Sequence, residues 1–453
     1  MKYDNYTHIY FVGIGGIGMS ALARYFNHFH YRVAGYDKTE TELTKNLVRE
    51  GIHIHYSDKG DSISQFIAPP ENTLVILTPA VPSDLGELQF LRKHNYTIQK
   101  RAEVLGRITE AYKTLAVAGT HGKTTTSTML AHVLHTSAYK CNAFLGGISS
   151  NFDSNLLIDP TSNWMVVEAD EYDRSFLKLS PFSTIITSTE ADHLDIYHEP
   201  QALVDTFNEY GHLVNKDGFV IKHFSLSICQ DIPSYTYGIG ENPDIDYRGS
   251  NIRIENNEFV MDVTTPTANY PHVIIGMPGI HNAENALAVI ALCDTIGLTV
   301  DDIREALHQF RGVHRRFELH IKKEGLIYID DYAHHPTAIQ NLLKSIHLIY
   351  KGWPVYLIFQ PHLYSRTQDF MHEFAEALSE AENVILMPIY PARELPIEGI
   401  TSEELAKMVT SNVQVLNMQE VPEFIKTIQK GVILTVGAGD ISLLIQPIKK
   451  ILA

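Results

Sequence analysis

Short apolar runs alternate with helical periodicity along most of this 453-residue chain, which is the pattern of an α/β protein. HIYFVGIGG is an apolar run ending in glycines, and a helical stretch follows from Ile17 to about His30. YRVAGYD predicts a second strand closing on Asp37, and NTLVILTPA another ending near Thr78. Together they predict a doubly wound, Rossmann-like unit over residues 1–106. KTLAVAG, WMVVEAD and STIITSTEADH predict strands of a second unit, residues 107–313. That unit adds a hairpin over NIRIENNEFVMDVTT, turned at its Asn-Asn pair, and helices near Asn282–Ile296 and Asp301–Phe310. RGVHRRFE is polar, basic and glycine-containing, and reads as a linker. A third unit, residues 314–453, repeats the alternation through LIYIDDYAHHP, PVYLIFQPH, NVILMPIY, VQVLN and GVILTVGAGD. No short-period repeat or low-complexity tract interrupts the three units.

The composition, 44% hydrophobic and 20% charged, allows each unit a real core. The net charge of −17 argues against nucleic acid as a partner, which needs a positive footprint. It leaves phosphorylated small molecules open, since backbone N–H groups and a few local cations can hold them. Cys141, Cys229 and Cys293 are too far apart in sequence to suggest a metal cluster or a disulfide framework. The N-terminal residues carry no signal-peptide pattern, and no apolar run is long enough to span a membrane. The expectation is a cytoplasmic protein.

Two loops carry the chemistry. Gly13, Gly15 and Gly18 form G-x-G-x-x-G between a predicted strand and helix, with Asp37 at the end of the next strand. Such a turn lets backbone approach a pyrophosphate at a helix N-terminus, and a tight turn alone would use the same glycines. VAGTHGKTTTSTML is the stronger signal. Gly119, Thr120, His121 and Gly122 form a loop after a strand, and Lys123, Thr124 and Thr125 open a helix. Backbone N–H groups there suit phosphate oxygens, Lys123 the terminal phosphates and the Thr124 hydroxyl a Mg²⁺ ion. The loop is shorter than the standard phosphate loop, because Val117 stands where the first glycine would be.

Acidic groups gather at the predicted strand ends. VVEADEYDRSF supplies Glu168, Asp170, Glu171 and Asp173, and STEADHLD supplies Glu190, Asp192, His193 and Asp195. Beside a triphosphate such groups hold Mg²⁺, and helix caps or solvated loop ends would use the same residue types. In GIHNAENALA, two weak helix formers, Asn282 and Asn285, follow His281 within one turn, so capping and contact with a purine are both in view. DDYAHHP, PHLYSRT and GAGDI each follow a predicted strand of the third unit, so they can converge at one sheet edge. Arg315 and Arg316 lie in the linker, as solvated charges or as groups reaching the γ-phosphate.

The set GTHGKTTT, EADEYD, TEADHLD, HNAENALA, DDYAHHP and GAGDI resembles the Mur ligase family, in the family's domain order and over essentially the whole chain. The resemblance implies three α/β domains: a Rossmann-like UDP-sugar domain, a phosphate-loop ATP domain and a Rossmann-like amino-acid domain. It implies that Gly15, Gly16, Ile17 and Gly18 hold the UDP diphosphate with Asp37 near the uridine. Lys123 and Thr124 then match the ATP loop, and Thr124, Glu168 and His193 the divalent-metal site, for Mg²⁺ or Mn²⁺. His281, Asn282 and Asn285 match the adenine segment, with Arg316 beside the nucleotide. Tyr332, His334, His362 and Arg366 fall where the amino acid binds. Lys123, His193, His334 and Arg366 are the implied catalytic groups.

GIGGIGMS and FQPHLYSRT resemble the branch that joins L-alanine to UDP-N-acetylmuramate, acting as a monomer or weak homodimer. Leu363 departs from that branch's pattern, which often has arginine there. Residues 196–215 contain no lysine, in keeping with the branch, which does not use the modified lysine of its relatives. The implied chemistry is phosphorylation of a carboxylate by ATP, then attack of an amine on the acyl phosphate, with closure of the third unit keeping water out. On the first glycine loop and Asp37 alone, a nicotinamide dehydrogenase stays open. A ligase adding a preformed peptide is also open, since the EADEYD tyrosine is shared with that branch, although FQPHLYSRT favours alanine. A non-enzymatic nucleotide-binding regulator is the third alternative.

Overall fold

Three β-sheets order the chain, each with its strand ends presenting loops. The structure is a computed structural model that describes residues 3–190, 194–197, 199–256, 258–392 and 394–453. The first sheet contains β1 (His8–Val12), β2 (Arg32–Tyr36), β3 (His53–His55), β4 (Thr73–Leu77) and β5 (Thr97–Lys100) in the order β3-β2-β1-β4-β5. All of its pairings are parallel. The order reverses between β1 and β4, so the loops after those strands leave a crevice at their carboxyl ends. The glycine loop sits in that crevice.

The second sheet contains β6 (Lys113–Ala118), β7 (Asn142–Ser149), β8 (Ser154–Leu157), β9 (Trp164–Glu168), β10 (Ser183–Ile186), β11 (Val220–His223), β12 (Ser234–Ile239), β13 (Tyr247–Glu255), β14 (Glu258–Thr264) and β15 (Asn269–Ile275). Their order is β15-β14-β13-β12-β11-β10-β6-β9-β7-β8. The central strands β6, β9 and β10 are buried almost throughout. Their continuous apolar runs reflect a parallel sheet covered on both faces. Register sets the site: β6 pairs with β9 so that Val117 faces Glu168, and with β10 so that Ala118 faces Ile186. The loops after all three strands therefore emerge side by side. The expected hairpin is present as β13 and β14; Asn256 of its Asn-Asn turn has a left-handed φ of 53°, and Asn257 lies outside the described residues.

The third sheet contains β16 (Glu318–Lys323), β17 (Leu326–Asp331), β18 (Val355–Phe359), β19 (Asn383–Leu386), β20 (Asn412–Val415) and β21 (Gly431–Val436) in the order β16-β17-β21-β18-β19-β20. Only β16 runs antiparallel. Asp331 and Phe359 both pair with Val436, which aligns the ends of β17, β18 and β21. DDYAHHP, PHLYSRT and GAGDI thus leave one edge of the sheet, as the sequence pattern anticipates.

The chain forms two compact units. One comprises residues 1–250, 263–271 and 285–309, and the other residues 251–262, 272–284 and 310–453. The supposed linker RGVHRRFE is packed within the second unit. Val313 and Phe317 are buried, and Glu318 already begins β16. Its polarity comes from arginines that have structural partners, so composition alone misrepresents it. Among the described residues, no helix is long and apolar enough to cross a membrane.

Candidate active site

The first glycine loop leads into the helix Ile17–His28, whose N-terminus has no side-chain cap. Its orphan N–H groups favour an anion there. Asp37 lies against the loop: its Oδ2 accepts from the Gly15 N–H at 2.7 Å and its Oδ1 from the Thr39 N–H at 3.1 Å. Gly18 has a different neighbour. A Cβ on it would come within 2.8 Å of the Arg101 guanidinium, so its bare backbone makes room for a cation.

The second loop is braced from one side by Ser188, two residues beyond β10. The Thr120 N–H donates to the Ser188 carbonyl at 3.1 Å, and the His121 N–H to Ser188 Oγ at 2.9 Å. Those two donors are therefore spent on the protein, and the first turn of the helix Lys123–Thr136 remains to face a phosphate. Gly122 at its N-cap has φ 79°, a left-handed conformation that suits glycine. Asn285 lies directly against it, with Oδ1 2.8 Å from where a Cβ would stand. Lys123 Nζ donates to the Gly119 carbonyl at 2.7 Å and to Glu171 at 2.8 Å. Glu171 is fully buried. Burial opposes the lysine charge, but Glu171, Asp170 and Glu168 outweigh it and raise the Lys123 pKa. The lysine is held protonated.

Glu168 ends β9 beside this loop. A Cβ on Gly146, in β7, would lie 2.0 Å from Glu168 Oε2, so only a glycine leaves the carboxylate its place. Thr124 and Glu168 offer oxygen ligands, the donor type Mg²⁺ prefers. Glu168 itself takes the volume of the missing Gly146 side chain, and Asn285 that beside Gly122. A Mg²⁺-nucleotide fits these residues. His193, the other expected metal ligand, and its neighbour Asp192 lie outside the described residues. A cavity of about 250 Å³ runs from the first glycine loop to the end of β9 within this unit, lined by Gly16, Gly18, Arg101, Gly146, Glu168 and Asp170 among others.

In the second unit the expected amino-acid residues come together. The Tyr332 and His334 rings are 5.4 Å apart, and the His334 and His362 rings 6.3 Å. His362 stacks on Tyr390 at 5.6 Å. Burial, helped by the nearby Arg366 charge, pushes the His362 pKa down to about 4. Leu363 adopts φ 74° and ψ 137°, a strained conformation for a leucine. Arg315 is engaged by Asp330 at 3.0 Å and the Gly437 carbonyl at 2.7 Å, while Arg316 lies over the Tyr332 ring at 5.0 Å. Asn282 donates through its amide to the Pro278 carbonyl at 2.7 Å, which ties the turn before its helix. His281 is buried, and its pKa falls to about 4 because desolvation outweighs the pull of Glu284.

Comparison with known proteins explains this arrangement. Residues 8–113 match the model described as Mur ligase family, catalytic domain. Residues 117–293 match the Mur ligase middle domain, and residues 315–445 the Mur ligase, glutamate ligase domain. A UDP-N-acetylmuramate–L-alanine ligase from Flavobacterium johnsoniae is 46% identical over 100% of this chain and 99% of its own. The chain belongs to the Mur ligase family. A second relative of that name, from Cytophaga hutchinsonii, is 45% identical over 98% of this chain and 97% of its own. Among solved structures, the UDP-N-acetylmuramate-alanine ligase of Thermotoga maritima superposes with a TM-score of 0.83 at 31% identity, covering 98% of both chains. A murein peptide ligase from Psychrobacter arcticus shares the fold, with a TM-score of 0.74 at 23% identity over 98% of both chains.

For this Mur ligase, motif reading finds Glu171 only as one of several strand-end acids and misses Ser188, Arg101 and Gly146. Glu171 stands among other acids, and nothing local marks it as the partner of Lys123. Ser188 and Gly146 matter only through strand register, and Arg101 only through the cavity. Replacing Gly146 by alanine is expected to displace Glu168 and weaken Mg²⁺-ATP binding by about 10–100-fold in calorimetry, as loss of support for a metal ligand does. Unchanged affinity would remove Glu168 from the metal site. A pH effect also follows. His132, His281 and His362 are pushed by burial from the ordinary 6.5 to about 4. Between those pH values the unfolded chain binds protons that the folded chain refuses. Their contribution to stability is therefore full above about pH 6.5 and lost as pH falls toward 4. The urea midpoint of His281→Gln should fall less steeply than wild type across that window, and parallel slopes would contradict the burial of a neutral ring.

Proposed function

We propose that this chain is an ATP-dependent ligase joining L-alanine to the lactyl carboxylate of UDP-N-acetylmuramate, releasing ADP and phosphate, in peptidoglycan precursor synthesis. The observation that carries the reading is the juxtaposition of the Lys123–Glu171 pair, Thr124 and Glu168 beside a cavity reaching the glycine loop of the first sheet. We assign residues 1–106 to UDP-sugar, 107–313 to ATP and 314–453 to the amino acid, in a cytosolic monomer or weak homodimer.

A carboxylate repels nucleophiles. Transfer of the γ-phosphoryl group to one carboxylate oxygen makes an acyl phosphate and leaves ADP. The amine of alanine then attacks the carbonyl carbon. The tetrahedral intermediate collapses, the amine loses a proton and phosphate departs with the original carboxylate oxygen. When bound, Mg²⁺ would supply charge neutralisation at the phosphates, held by Thr124, Glu168 and His193. Lys123 would share that task once phosphate oxygens replace its bond to the Gly119 carbonyl. Gly119, Thr120, His121, Gly122 and Thr125 shape the loop, and His281, Asn282, Asn285 and Arg316 are assigned to the nucleotide. Gly15, Gly16, Ile17, Gly18 and Asp37 are assigned to UDP. Tyr332, His334, His362 and Arg366 are assigned to alanine, with Arg366 facing its carboxylate.

The test is phosphate release from ATP with UDP-N-acetylmuramate plus L-alanine, glycine, L-serine or a preformed tripeptide. Release with L-alanine is expected, and release with the tripeptide alone would overturn the substrate assignment. Lys123→Ala should lose most of kcat. It should also destabilise the fold by about 3–5 kcal/mol, since it strands a buried carboxylate. Adding Glu171→Gln should restore the urea midpoint without restoring turnover. Recovery of both would make Lys123 structural.

A further inference from the structure

A carboxylate moving toward Glu168 faces a barrier of like charge. Glu168, Asp170 and Glu171 crowd the end of one strand, and ATP would add further negative charge. Lys123 is already committed to Glu171 and the Gly119 carbonyl. Like charges in a partly desolvated cavity repel strongly unless a cation lies along the path. Among the described residues lining the cavity, that cation is Arg101.

Its placement is specific. Arg101 opens the helix Arg101–Thr109 directly after β5. Its Nη1 lies over Gly18, 2.8 Å from where a side chain would begin. Its Nη2 donates to Asp170 Oδ2 at 3.2 Å. The side chain is 22% exposed, so it is shielded from bulk water yet open to the cavity. The neighbouring Lys100 anchors the same acidic segment through Asp173 at 3.1 Å. A guanidinium has five N–H donors in a planar fork that matches a carboxylate. The hydrogen bond to Asp170 shows that a carboxylate already suits this one.

We infer that Arg101 is the binding residue for the lactyl carboxylate of the nucleotide-sugar, exchanging Asp170 for the substrate and holding it on the path from the glycine loop to Glu168. The inference rests on the proposed function, and its test separates the two. First, wild-type phosphate release with UDP-N-acetylmuramate and L-alanine is measured; its absence would overturn the function itself. Then calorimetry compares UDP-N-acetylmuramate, UDP-N-acetylglucosamine, which lacks the lactyl carboxylate, and UDP, on wild type, Arg101→Met and Arg101→Lys. Arg101→Met should weaken UDP-N-acetylmuramate by about 10–100-fold, the loss typical of a hydrogen bond to a charged group. UDP and UDP-N-acetylglucosamine should stay within about twofold, which also shows the variant to be folded. Arg101→Lys should recover part of the loss, because it keeps the charge without the fork. Equal weakening of all three ligands in Arg101→Lys would place the residue on the diphosphate and overturn the inference. Unchanged binding of UDP-N-acetylmuramate in Arg101→Met would reduce Arg101 to a partner of Asp170 and overturn it as well.

Discussion

The ion pair between Lys123 and Glu171 is the constraint around which the nucleotide end of this protein is built. Lys123 must carry its charge in a place from which water is excluded, and charge without a partner there is costly. Glu171 supplies the partner, and the Gly119 carbonyl fixes the direction of the ammonium group. Both are held by the sheet: β6 delivers the lysine through its loop, and β9 delivers the glutamate just beyond its last residue. The strand register that sets Val117 opposite Glu168 therefore also decides where a phosphate can be neutralised. A shift of one residue in that pairing would turn Glu168 to the other face.

The same economy of placement recurs at two glycines, one opening a helix and one in β7. Gly18 leaves room for Arg101, and Gly146 leaves room for Glu168. Neither glycine is explained by its own turn. Each is bare because a charged group from another element occupies the volume of its missing side chain. The cavity beside both glycines is lined at one end by a helix N-terminus and at the other by the carboxylates Glu168 and Asp170. An anion entering it passes from a region that attracts it to one that repels it, with the guanidinium in between.

Much of this was legible in the chain itself. The buried strands of the third sheet, β17, β18, β19 and β21, stand out because they are covered on both faces and are dominated by apolar residues. The phosphate loop and the acidic strand ends are visible for the same reason, since each follows such a run. The short edge strands were not legible. β3 has three residues and β5 four, and β5 has no buried position, so neither carries a pattern to detect. β16 begins inside a basic segment whose arginines look solvated but are held by Asp330 and by the Tyr332 ring. Arg101, Ser188 and Gly146 escape motif reading because their roles are set by neighbours distant in sequence.

Phosphorylation of the carboxylate by ATP is the step on which the proposed function turns. Transfer of ¹⁸O from a labelled lactyl carboxylate tests that directly. With both carboxylate oxygens of UDP-N-acetylmuramate labelled, mass spectrometry of the products should find one label in the released phosphate and the other in the new amide. Unlabelled phosphate would contradict an acyl phosphate and with it the role given to the loop around Lys123.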